Sequence, residues 1–80
     1  MKADCYQAKK SPQPDEMMFV LVPHGKSVDA LPDELKQAAG DFTFDKTVEI
    51  NPAEKMDCFD AGEAAQNFVK KGYHLIFMKQ

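Results

Sequence analysis

The chain has 80 residues, of which 44% are apolar and 29% charged, with a formal net charge of −3. That length confines it to one domain, residues 1–80, with a modest core. The apolar share is too high for a disordered chain, and the acidic balance gives no long-range attraction to nucleic acid or anionic lipid.

No apolar run approaches the ~18 residues of a membrane-spanning helix. The opening MKADCYQAKK has no apolar segment to serve as a signal peptide, so a cytoplasmic protein without membrane contact is the expectation. Cys5 and Cys58 are accordingly expected as reduced thiols.

Residues 3–8 predict a first strand, with Ala3, Cys5 and Tyr6 in imperfect alternation. The polar stretch over 9–16, with two prolines, predicts a loop. Met17 to Val22 is a continuous apolar run, the pattern of a central strand covered on both faces. Pro23 and Gly25 then end the strand and turn the chain, and an antiparallel hairpin is the simplest way to join these two strands. A serine at 27 suits the cap of a short helical turn over 28–30.

A helix follows over 32–39, with Pro32 at its first position, Asp33 and Glu34 at the positive end of its dipole, and Gly40 as its stop. Leu31, Leu35 and Ala38 are its expected buried face. In the strand over 42–50, Phe42, Phe44, Val48 and Ile50 share parity, which predicts one apolar face. Asn51-Pro52 marks a turn, and Met56 to Phe59 a short extended piece.

Asp60, with Glu63 three residues later, reads as the capping box of the best-marked helix, which Gly72 stops. Its expected buried stripe is Ala61, Ala64, Ala65, Phe68 and Val69. Tyr73 to Met78 predicts a last strand, with Tyr73, Leu75 and Phe77 on one face and His74, Ile76 and Met78 on the other. The fold class is therefore α+β: a small α/β sandwich with a mainly antiparallel sheet of four to five strands and two main helices, in the order ββαβ(β)αβ.

Gly25-Lys26-Ser27 ends like a phosphate-binding P-loop, but that loop needs a further glycine where Val20 stands, and the next helix starts too late. Cys5, His24, Cys58 and His74 match a Cys2His2 zinc set in number. They come from four separate segments, however, where zinc modules place ligands in close pairs.

No Cys–His pair is local, and Asp60 and Glu63, which with Asp57 could serve acid-base chemistry, are occupied by capping. No catalytic residue, metal or cofactor is therefore expected. Lys9, Lys10, Lys70 and Lys71, accompanied by Tyr6 and Tyr73, would form a binding surface if the first loop lay beside the end of the second helix.

Taken in order, YQAKK at 6–10, LPDELKQAAG at 31–40, FTF at 42–44, EINPAEKM at 49–56 and GYHL at 72–75 resemble the YcgL family of small bacterial proteins. Tyr6, Lys9, Lys10, Pro32, Leu35, Gly40, Phe42, Pro52, Lys55, Asp60, Gly72, Tyr73 and Leu75 agree with its pattern. Gln7 and Ala8 stand where Arg and Ser are usual, and Cys58 where an arginine often lies. The resemblance implies helices packed on a mainly antiparallel sheet in a bacterial cytoplasmic protein. It implies no activity, the family being functionally uncharacterised.

The functional expectation is a non-catalytic protein-binding or accessory module. The alternatives are an RNA-associated accessory protein using the lysine and tyrosine face, and a small hydrolase.

Overall fold

The structure, a computed structural model, describes residues 1–12, 14–51 and 60–79. Its elements in chain order are β1 (Lys2–Ala8), β2 (Glu16–Pro23), a 3-10 turn (Val28–Ala30), α1 (Asp33–Ala39), β3 (Phe42–Glu49), α2 (Ala61–Lys70) and β4 (His74–Lys79). Among the described residues the four strands form one sheet in the order β3-β1-β2-β4, and every neighbouring pair is antiparallel. The expected hairpin of the first two strands is present, and the apolar run of β2 does occupy a central position.

Burial on both sides of β2 makes this a layered sandwich. On one face α2 covers Ala3, Cys5, Leu21, Ile50 and Ile76. The opposite face carries α1 and the 3-10 turn: Leu35 packs with Ala8, Met18 and Ala39, and Leu31 with Val20 and Val22. Met18 and Leu21 are each almost completely buried, which contributes about 1.5–3 kcal/mol per side chain.

Local signals are realised in backbone detail. Ser27 accepts the Asp29 N–H at 3.1 Å and so caps the 3-10 turn, and Asp60 accepts the Glu63 N–H at 3.1 Å to cap α2. Gly40 and Gly72 both have positive φ, 78° and 85°, and end the two helices as expected. Pro32 stands one position outside α1, as its N-cap in extended conformation, rather than at its first turn.

Three side-chain expectations are corrected. Val69 is 89% exposed, because α2 lies on the sheet along Ala61, Ala64 and Phe68, and the residue after Phe68 is rotated off that line by about 100°. In α1 the buried residue is Ala39, one turn on from Leu35, and Ala38 is exposed. Most consequential is β3, where the four apolar residues of equal parity do not share a face.

Cys5 pairs with Lys46 but Tyr6 with Phe44, so Asp45 is an extra residue between them. That bulge shifts the alternation by one. Phe42 consequently packs on the α1 side, with Met18 and Ala8, while Val48 and Ile50 pack on the α2 side. Pro52 and the extended piece expected at Met56 to Phe59 lie outside the described residues.

Candidate functional site

Two turns meet at one end of the sheet. Leu21 of β2 pairs with His74 of β4, so the chain leaving β2 and the chain entering β4 from α2 arrive side by side. On the first turn, Lys26 N–H closes onto the Pro23 carbonyl at 3.0 Å with Gly25 at φ 89°. On the second, the N–H groups of Lys71 and Gly72 both turn back onto the Asn67 carbonyl, at 2.7 and 3.0 Å. Between them lies a pocket of about 320 Å³, lined by Lys26, Ser27, Leu31, Phe68, Lys71 and Tyr73 among others.

Beside this end a polar clamp crosses the sheet. The Asp4 carboxylate of β1 is buried, and its Oδ1 accepts the His24 Nδ1–H at 2.9 Å and the Thr47 hydroxyl of β3 at 2.9 Å. These bonds, His24 first, with help from the Gly25 amide, hold the carboxyl below its ordinary range against the opposing cost of burial. Because an ionised oxygen accepts, His24 Nδ1 carries the hydrogen of this bond, and the side chain is largely exposed. Chemically this is an imidazole oriented by a carboxylate. Structurally it ties β1, β3 and the exit of β2 together.

The other histidine is built differently. His74 is 7% exposed, and Asn67 Nδ2 donates to its Nδ1 at 2.8 Å, which leaves the ring proton on Nε2. Burial lowers its pKa; the charges of Glu63 and Asp60 raise it and that of Lys71 lowers it further.

The six residues expected to form a binding face are divided. Lys9 and Lys10 follow β1, where their N–H groups bond the Asp41 and Ala39 carbonyls at 2.9 and 2.7 Å and fasten the end of α1. They line a separate groove with Gln7, Glu16 and Met17. Lys70, Lys71 and Tyr73 are at the other end of β2, roughly 20 Å away at ~3.3 Å per strand residue. Tyr6 is half-buried and meets Phe44 edge-to-face at 5.5 Å, and Tyr73 packs beside Val22 and Leu31. The structure therefore brings Lys71 and Tyr73 together, adds Lys26 and Ser27 to them, and leaves the first lysine pair apart.

The imagined zinc and Cys–His sets are likewise dispersed. Cys5 and His74 face the same side but with Leu21 between them in the pairing, about 10 Å across two strand spacings. His24 is on the opposite side with Asp4, and Cys58 and Asp57 lie outside the described residues. Among the described residues no group of three or more His, Cys, Asp or Glu side chains is placed to hold a metal ion. No described helix is long and apolar enough to cross a membrane.

The Lys26 pocket and the Asp4 clamp both depend on pairings distant in sequence. Only the glycine turns and the Ser27 cap carried a local signal. Compared with known proteins, residues 4–79 match a family model described as the YcgL domain. No curated protein and no solved structure matches the chain.

Proposed function

Because residues 4–79 fit that model, the chain belongs to the YcgL domain family, and we propose that it is a small binding module that takes an extended segment of a protein partner along the outer edge of β4. The observation that carries this reading is the contrast between the two edges of the sheet that the described residues form. At β3 the bulge at Asp45 and the charges of Asp45 and Lys46 interrupt the edge, the devices by which sheets discourage further pairing. The opposite edge, β4, pairs with β2 over six consecutive residues without a register shift. It presents Phe77 and Met78, each 40% exposed, on opposite faces of the same edge.

A strand added there would gain main-chain hydrogen bonds from β4 and alternate apolar contacts from those two side chains. The test is selection of a displayed random-peptide library on the wild-type protein, followed by binding to Phe77→Lys and Val69→Lys. Selected peptides should lose binding to Phe77→Lys, keep it with Val69→Lys, and perturb amide signals along β4. Peptides indifferent to Phe77→Lys would refute the reading.

A further inference from the structure

We infer that the pocket between the β2 exit and the α2–β4 turn is a binding site for a small organic oxyanion, a phosphate monoester or carboxylate on an apolar body. Its walls divide by chemistry. Leu31, Phe68 and Tyr73 supply apolar surface, while Lys26 and Lys71 supply the charge; no carboxylate is among the described lining residues. Neither lysine is in an ion pair among the described residues, whose pairs are Met1 amine–Glu49, His24–Asp4 and Lys36–Asp33.

Ser27 adds a hydroxyl to the lining. Its oxygen accepts the Asp29 N–H, and a hydroxyl that accepts one bond keeps its own hydrogen to give, with no acceptor for it among the described residues. Two ammonium groups and one hydroxyl on a partly apolar hollow of about 320 Å³ make the minimal set for a small amphipathic anion.

The C-terminal end of α2 opposes this with about half a negative charge. Two full positive charges outweigh it. The protein as a whole is anionic at −3, so attraction must be local and must weaken with salt. This site is separate from the outer edge of β4 and stands or falls independently of partner binding there.

The experiment is an amide-shift titration of the full chain with phenyl phosphate, benzoate and inorganic phosphate. The expected result is saturable shifts centred on Lys26, Ser27, Lys71 and Tyr73 with at least one organic probe, and weaker binding of inorganic phosphate. Lys26→Gln and Lys71→Gln should each raise Kd about tenfold, and Lys9→Gln with Lys10→Gln less than about twofold. The tighter organic probe identifies phosphate or carboxylate as the headgroup. Absence of saturation, equal loss in the Lys9 and Lys10 variants, or binding indifferent to Lys26 and Lys71 would each overturn the assignment.

Discussion

Asp4 and His24, twenty positions apart, are joined by a 2.9 Å hydrogen bond that closes the exit of β2 onto the neighbouring strand. The same Asp4 oxygen holds Thr47, so one carboxylate fixes three strands at the end of the sheet where the Lys26 turn begins. Its pKa is lowered on folding from an ordinary value of 3.8. A depressed carboxylate stabilises the fold at pH above that value, and the contribution is lost as pH falls through the folded pKa. Urea unfolding from about pH 6 down to 3 should therefore show a steeper acid limb for the wild type than for Asp4→Asn. Equal limbs would remove Asp4 as its cause.

His74 gives a second window with a different origin. Burial lowers its pKa below the ordinary 6.5, so on acidification the unfolded chain takes up a proton that the folded chain resists. Stability is expected to decline as pH falls below about 6.5, until the folded ring also titrates. His74→Gln should be less stable near neutrality, having lost a packed ring, yet flatter across this window. A wild-type profile as flat as that of His74→Gln would contradict the expectation.

Asp60 connects local structure to that titration. Its carboxylate caps α2 through the Glu63 amide, and its charge also raises the His74 pKa. Asp60→Ala should cost about 1 kcal/mol, a fall in Tm of roughly 4–8 °C for a domain of this size. Asp60→Asn should recover most of the loss, since the acceptor remains. In both variants His74, followed by its ring proton shifts, should titrate at lower pH than in the wild type.

Those predictions mark what was legible in the sequence. Asp60, Ser27, Gly40 and Gly72 act on backbone groups within about five residues of themselves, so their residue types alone located the helix ends. The apolar character of Val69 gives no angle; the contact line through Ala61, Ala64 and Phe68 decides which neighbour is covered. Asp4 with His24, and Lys26 with Lys71, are brought together by strand pairing alone, and no spacing within either segment announces it. Grouping Lys9 and Lys10 with Lys70 and Lys71 had the reverse fault, since like residues at opposite ends of β2 carry no mark of their separation.

The bulge in β3 offers the most direct check on register. Strict parity would place Phe42 and Val48 on the same face, whereas pairing of Cys5 with Lys46 and Tyr6 with Phe44 puts them on opposite faces. Asp45 is thus one residue more than β1 requires. Deleting it should leave Phe44 opposite Tyr6 and Lys46 opposite Cys5 in regular pairing, with both cores intact. Deleting Val20 from β2, which pairs without a shift on both sides, should instead carry part of the strand to the wrong face and abolish cooperative unfolding.

The Asp45 deletion also straightens an edge that the bulge and its charge had guarded, so it should associate more readily at high concentration. Sedimentation together with thermal unfolding separates the two effects. A folded but more self-associating deletion is expected. Loss of folding equal to that of the Val20 deletion would mean that Asp45 is required by the pairing rather than surplus to it.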